Sequence, residues 1–227
     1  MSSRRDEIVA RLAAAGDADR AEGQQRYMKS AMPFHGVRVP QARSIAIDVV
    51  KEQPITDRDE WAREVLGLWR EATHREQRYA ACGIARHTPY RRWLDGDARP
   101  MIEEMIVTGA WWDLVDELAG HHMGIMLRND PDRIRPEMIA WAVDDDLWRR
   151  RTSILCQLRH KADSDLDLLT HAIVASIDSD EFFLRKAIGW ALRQYAYIDP
   201  DWVVGFVDRH ADRLSGLSRR EALKNVS

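Results

Sequence analysis

Residues 185–192 read RKAIGWAL, and two earlier stretches, RYAACGIA at 78–85 and RRTSILCQ at 150–157, resemble them. The three segments start 72 and 35 residues apart, so a period of about 36 residues places a fourth copy near residue 113. A spacing of roughly 35 to 45 residues per helix pair is typical of HEAT-like solenoids, in which equivalent helices line one concave surface. The sequence therefore predicts an all-α, HEAT-like helical-repeat superhelix, an α-solenoid that forms a single domain over residues 1–227.

Helical periodicity extends through nearly the whole chain. Apolar residues recur at steps of three and four, and the alternation expected of strands is missing. Possible capping boxes pair Thr56 with Asp59, Thr73 with Glu76, and Ser218 with Glu221. With two Asp-Pro sequences at 130–131 and 199–200, they predict helix starts near residues 57, 74, 131, 200 and 219. Residues 31–40 contain three helix-interrupting residues and are expected to form an irregular loop.

The distribution of charge is more informative than its sum. A net charge of -3 argues against a nucleic-acid partner, because phosphate binding requires positive charge. However, the stretches 147–162 and 182–198 contain arginine and lysine and no acid, whereas the intervening stretch is rich in aspartate. Helices are therefore expected to alternate between basic and acidic, which would make the concave groove basic.

Other features exclude several classes of protein. Cys82 and Cys156 lie in apolar helical contexts, which predicts buried free thiols in a reducing compartment. The histidines lack the spacing of a zinc site, and no motif for a nucleophilic triad is present. No apolar run approaches the ~18 residues that a membrane-spanning helix needs. We therefore expect a cytoplasmic protein with no metal and no cofactor.

One set of side chains is predicted to face a common groove. Trp112 and Asp116 are four residues apart, so they lie one turn apart on one face of a helix. Arg151 and Trp190 fall one and five residues after the starts of their repeat copies, again a helical turn apart. The alternative interpretation is a purely structural role, in which the tryptophans pack in the core and the aspartate caps a helix. The tryptophans expected to serve packing alone are Trp61, Trp69, Trp93, Trp111, Trp141, Trp148 and Trp202.

Several collinear blocks from about residue 20 to the end resemble the AlkD family of alkylpurine DNA glycosylases. The blocks are RYMK (26–29), WWDLVD (111–116), RRTSIL (150–155), FFLRKAIGWALR (182–193) and LSRREA (217–222). The resemblance implies a HEAT-like superhelix that holds duplex DNA in its concave groove. It also implies removal of N3- and N7-alkylated purines, such as 3-methyladenine and 7-methylguanine. A monomer is the expected state of a solenoid that surrounds DNA.

The resemblance also implies roles for individual residues. Asp116 is the catalytic carboxylate, Trp112 and Trp190 flank the lesion nucleotide, Arg151 contacts the DNA beside it, and Tyr27 is an aromatic residue near the same site. Further DNA contacts are expected from Lys29, Arg43, Arg150, Lys186 and Arg193. Lys186 is expected to contact phosphate rather than to form a Schiff base. The family often has paired arginines after the proline of the early loop, whereas Arg43 stands alone here, so phosphate contacts there are expected to be weaker.

The chemistry of alkylated purines agrees with a single catalytic carboxylate. Alkylation at N3 or N7 leaves the base positively charged, so the base departs as a neutral group and no general acid is required. One carboxylate that stabilises the cationic sugar and orients a water is sufficient. Two alternatives remain open: a HEAT-like scaffold without activity, and a relative that binds damaged DNA without cleaving it.

Overall fold

The computed structural model describes residues 3–226, and every regular element within that range is helical. The predicted all-α class is thereby confirmed. The described residues fall into two compact units, one ending at Leu94 and the other beginning at Asp95. A single domain over 1–227 and a basic concave groove stay predictions.

The first unit is built on contacts of its third, fourth and fifth helices. Its helices are α1 (Arg4–Ala14), α2 (Ala18–Met28), α3 (Val39–Glu52), α4 (Arg58–Arg70) and α5 (Arg75–Ala85), followed by a 3-10 helix at Thr88–Trp93. Helix α5 packs against both α3 and α4. Because nearly all of its residues are buried, α5 forms the centre of this unit.

The second unit carries the longest helix of the described chain and most of the predicted site. Its helices are α6 (Arg99–Gly109), α7 (Trp112–Glu117), α8 (Gly124–Asn129), α9 (Pro131–Trp141), α10 (Leu147–Leu155), α11 (Leu166–Ser176), α12 (Phe182–Ala196), α13 (Pro200–Arg209) and α14 (Gly216–Ala222). Helix α12 packs between α10 and α14, and α11 packs against α9. Apolar side chains such as Leu155, Ile188 and Phe206 form a continuous core beneath these helices.

Most of the predicted helix starts agree with the structure. Helices begin at Arg58, Arg75, Pro131 and Pro200, and the side chains of Asp57 and Asp199 cap two of them. The start near residue 219 is wrong, because α14 begins at Gly216. There the hydroxyl of Ser215, rather than that of Ser218, accepts the backbone N–H of the first turn.

The capping box predicted from Thr73 and Glu76 is also wrong, because Glu76 binds a loop that is distant in sequence. Glu76 is fully buried, and its carboxylate accepts the backbone N–H groups of residues 35, 36 and 37 at 2.9–3.0 Å. A buried carboxylate needs such donors more than a helix end needs a reciprocal cap. The irregular loop predicted at 31–40 is present as far as Arg38, with Pro40 in the first turn of α3.

The packing predictions for thiols and most tryptophans agree with the structure. Both cysteines are buried and free. Trp61, Trp69, Trp141 and Trp148 are buried, whereas the other tryptophans expected in the core are half-buried. Within residues 3–226 no helix is both long and apolar enough to cross a membrane.

Candidate active site

The candidate site lies in the second unit, where α7 passes into a π-helical turn. The turn covers Leu118–Met123 and leads directly into α8. A π turn inserts an additional residue into a helix, and such turns are frequent at functional sites. Directly after it, α8 approaches the end of α10 so closely that a Cβ on Gly124 would lie 2.6 Å from the carbonyl oxygen of Cys156. Glycine is therefore required at this contact.

Asp116 is held by a bidentate ion pair with Arg151 of α10. Arg151 Nε lies 2.7 Å from Asp116 Oδ1, and Arg151 Nη2 lies 2.9 Å from Asp116 Oδ2. The third nitrogen, Nη1, donates to the carbonyl oxygen of Phe183 at the start of α12. Arg151 is only 4% exposed, and its guanidinium group connects α7, α10 and α12. The carboxylate is fixed in orientation as well as position.

Two opposing effects act on the Asp116 carboxyl. Burial raises its pKa above the ordinary value of 3.8, because the charged form loses solvation. The hydrogen bonds and positive charge of Arg151 oppose that rise, and the neighbouring Asp113 adds to it. The site therefore holds a carboxylate that is poorly solvated and oriented by its single close cation.

Asp116 opens onto a cavity of about 330 Å³ that is acidic on one wall and aromatic on others. We call it the acidic cavity; its lining includes Trp112, Asp113, Asp116, Glu117 and Trp190. Trp190 is half-buried and packs on the core of the second unit. The structure thus places both tryptophans of the predicted site on the same cavity as Asp116. Arg151 is not among the residues that line it.

Other members of the acidic cavity were missed by sequence reasoning. His121 lines it, with Nε2 lying 3.5 Å from Glu117 Oε2. Gly120 lines it one turn after Asp116. The signal that could have found Gly120 is the four-residue step from Trp112 through Asp116, and the parallel step from Asp113 through Glu117 leads to His121.

The exposed cation beside the acidic cavity is Arg159, which was also missed. Arg159 is exposed, and it lines the acidic cavity together with the carboxyl residues of α7. Arg159 lies in the acid-free stretch 147–162, so charge distribution alone pointed to it.

The predicted DNA contacts of α10 and α12 face partners inside the fold. Lys186 and Arg193 both pair with Glu221 of α14, the lysine at 3.0 Å. Arg150 donates to the hydroxyl of Ser176 at 3.2 Å. The acid-free helices therefore carry less uncompensated positive charge than their sequences indicate. DNA contact by these residues stays a prediction.

The remaining predicted contacts belong to the first unit. Tyr27 is 73% exposed near the end of α2, and Lys29, in the left-handed conformation at φ 49°, ends that helix. Arg43 is half-buried on α3, where its side chain lies against Gly83 of α5. Their part in DNA binding also stays a prediction.

Comparison with known proteins adds a family and one similar structure. A family model described as DNA alkylation repair enzyme matches residues 8–226. The solved structure of a predicted DNA alkylation repair enzyme from Enterococcus faecalis is similar, with a TM-score of 0.76 and 27% sequence identity. The similarity covers 93% of this chain and 97% of that chain. No curated protein matches the chain.

Proposed function

Because the chain belongs to the DNA alkylation repair enzyme family, we propose that it is a monofunctional DNA glycosylase for alkylated purines. It would hydrolyse the N-glycosidic bond of cationic N3- and N7-alkylated purines, such as 3-methyladenine and 7-methylguanine, in double-stranded DNA. The observation that carries the proposal is the ion-paired Asp116 carboxylate on a cavity it shares with Trp112 and Trp190. We further propose that the protein acts as a cytoplasmic monomer with a HEAT-like fold and without a cofactor.

The charge of the lesion determines what the site must supply. An N3- or N7-alkylated purine is a cation, so breaking its bond to C1′ releases a neutral base and leaves positive charge on the sugar. The enzyme needs no acid to protonate the leaving group, in contrast to most glycoside hydrolases, which use two carboxyl groups. What remains is to stabilise the oxocarbenium-like sugar and to direct a water to C1′.

Asp116 is suited to both tasks. Its two oxygens are fixed by Arg151, and each retains a lone pair for the sugar or for a water. Because the carboxylate is poorly solvated, its attraction to positive charge developing on the sugar is stronger than it would be in bulk water. Arg151 acts through Asp116 as a positioning residue.

The rest of the acidic cavity favours a cationic base over a neutral one. Asp113 and Glu117 add negative charge beside Asp116. The indole faces of Trp112 and Trp190 attract a cation by about 0.5 to 2 kcal/mol each, depending on desolvation. The same charges repel phosphate, so the cavity selects the lesion rather than the DNA backbone.

Base release from methylated duplex DNA is the direct test. The wild-type protein is expected to release 7-methylguanine and 3-methyladenine and to leave unmodified guanine and adenine in place. Absence of release contradicts the proposal. Binding to methylated DNA without release would instead support the damaged-DNA-binding alternative.

The role of Asp116 is tested separately with a matched pair of variants. Asp116→Asn is expected to reduce base release by roughly 10²- to 10⁴-fold, because it removes the charge that stabilises the sugar. Asp113→Asn removes an acid from the same wall and is expected to cost much less. Thermal unfolding of both variants shows whether the loss is one of folding. Equal release by folded Asp116→Asn and wild type contradicts the assigned role.

A further inference from the structure

A second cavity adjoins the acidic cavity in the same unit and has the opposite charge. It encloses about 540 Å³ between the turn that follows α10 and the C-terminal end of α12. We call it the basic cavity; its lining includes Arg159, Lys161, Tyr195, Tyr197 and Ile198. Its volume lies in the range of sites that bind small molecules.

The basic cavity contains cations and no acid in its own lining of described residues. Among the residues that line it in the described part of the chain, none is an aspartate or a glutamate. Arg159 and Lys161 are exposed, and neither forms an ion pair within residues 3–226. Most other cations of this unit's basic stretches are paired, as Lys186 is with Glu221. Within these stretches the positive charge without an ion pair therefore lies mainly at the basic cavity, which favours an anionic ligand.

The turn that carries these cations is held in place by the fold. The side-chain amide of Gln157 donates to the carbonyl of Asp165 at 3.0 Å, and its oxygen accepts the Asp165 N–H at 2.7 Å. Ser164 Oγ donates to the carbonyl of Lys161 at 2.8 Å, and Lys161 takes the left-handed conformation at φ 56°. The backbone from which the two cations extend is thus set before any ligand binds.

The opposite side of the basic cavity is aromatic and apolar. Tyr197 and Ile198 at the end of α12 are 65% and 40% exposed, among the most exposed large apolar side chains described. Tyr195 is held edge-to-face against Trp202 at 5.3 Å between ring centroids. Positive charge that follows a phosphate backbone, combined with aromatic side chains for bases, is the usual composition of a site for unpaired nucleotides.

The two cavities also share lining residues. Leu158, Arg159 and Gln194 border both of them. A DNA strand that presents its lesion to the acidic cavity can therefore continue directly into the basic cavity beside Arg159. Charge complementarity and this continuity both identify the occupant as part of the same strand.

We propose that the basic cavity binds one unstacked nucleotide of the lesion strand, next to the lesion. Its phosphate would lie between Arg159 and Lys161, and its base against Tyr197 and Ile198. The nucleotide must be unstacked because the faces of a base inside a duplex are covered by its neighbours and are not available to Tyr197. The inference rests on the proposed function only in taking DNA with a lesion as the substrate.

The test compares the affinity of three duplexes that carry a tetrahydrofuran abasic analogue in place of the lesion. One is otherwise fully paired, one has an extra unpaired nucleotide beside the analogue on the same strand, and one has it on the opposite strand. The same-strand duplex is expected to bind about fivefold or more tightly than the paired one, because its nucleotide is already unstacked. The opposite-strand duplex is expected to show no such gain. Fluorescence anisotropy measures all three dissociation constants.

Variants connect the preference to the basic cavity. Tyr197→Ala is expected to weaken binding of the same-strand duplex much more than binding of the paired duplex and so to abolish the preference, and Lys161→Gln is expected to reduce it. Val143→Ala removes an exposed apolar side chain that lines neither cavity and is expected to keep the preference. Equal binding of the three duplexes, an equal gain from the opposite-strand duplex, or a full preference in Tyr197→Ala would overturn the inference.

The binding test is independent of base release. If the wild-type protein releases alkylated bases and shows no preference, the inference alone fails. If it shows the preference and releases no base, the proposed glycosylase activity alone fails.

Discussion

The acidic cavity and the basic cavity are neighbours that solve opposite electrostatic problems. The acidic cavity combines a buried ion-paired carboxylate with indole faces, which suits a cationic base and a cationic sugar. The basic cavity combines exposed cations with phenol rings, which suits phosphate and a neutral base. Arg159 stands where they meet. A chain with a net charge of -3 can therefore offer a polyanion a positive surface, because it places negative and positive side chains in two separate, adjoining cavities.

The two cavities also differ in how their charges are supported. Asp116 is buried, so its charge is costly and requires Arg151 as a fixed partner. Arg159 and Lys161 are exposed, so solvent stabilises them until a ligand arrives. Changes at the acidic cavity should therefore have large effects on folding and chemistry, and changes at the basic cavity should have smaller effects on binding.

The largest effect is expected from Arg151→Met. It leaves Asp116 buried without its partner, and breaking a buried ion pair typically lowers the free energy of unfolding by about 3 to 5 kcal/mol. Arg185→Met breaks the exposed pair with Asp180, whose side chain is 99% exposed, and should cost about 0 to 1 kcal/mol. Urea unfolding measures both values. Similar losses for the two variants would contradict the contrast between buried and exposed charge.

The pH dependence of base release is the next way to examine the acidic cavity. In the proposed mechanism the ionised form of Asp116 is the active one, so we expect activity to be lost as the pH falls through the carboxyl pKa. Burial raises that pKa above 3.8, which places the loss at higher pH than for a solvated aspartate. Arg151→Met removes an interaction that lowers the Asp116 pKa, so the acid limb of the pH–rate profile should move to still higher pH. Base release is measured with and without enzyme, so that spontaneous depurination can be subtracted. An apparent pKa below 3.8 for the loss of activity would contradict the effect of burial.

Much of the acidic cavity followed from sequence periodicity. A four-residue step is enough to put Trp112 and Asp116 on one face of a helix, and both line the same cavity. The partner of Asp116 was not predictable, because Arg151 is 35 residues away and the contact depends on how α7 packs against α10. Its guanidinium binds Asp116 and the Phe183 carbonyl, and the contact with DNA that the resemblance implies for this arginine stays a prediction. Nor does periodicity reveal the π turn at Leu118–Met123, since one additional residue barely alters the apolar pattern.

Charge counting along the sequence was less informative about the basic surface. It identifies stretches without acid, but it does not reveal an acid that packs against them from another helix. Glu221 pairs with both Lys186 and Arg193, across 35 and 28 residues of sequence, and offsets one of their two positive charges. Helix α12 is therefore less basic than its sequence alone indicates. Glu76 is the corresponding case in the first unit, where a predicted cap residue serves a distant loop instead.

A smaller effect is expected from Trp112→Leu, which tests the attraction of the acidic cavity for cations. Duplexes containing 7-methylguanine, with a 2′-fluoro sugar to prevent cleavage, are compared with duplexes containing neutral 7-methyl-7-deazaguanine. The wild-type protein should prefer the cationic base, and the variant should lose about 2- to 30-fold of that preference. Val143→Ala is the control for removal of an apolar side chain outside the cavity. An unchanged preference would show that the carboxyl groups alone attract the cation.

The smallest effect concerns the salt dependence of binding to undamaged duplex. Each cation that contacts phosphate contributes about one unit to the slope of log affinity against log salt concentration. Arg159→Gln should reduce the slope by about one, because this cation has no acid partner to release. Lys186→Gln should reduce it less, since Lys186 already forms an ion pair with Glu221 at 3.0 Å. The reverse order would mean that DNA displaces Glu221 from α12, and that the basic face extends beyond the basic cavity.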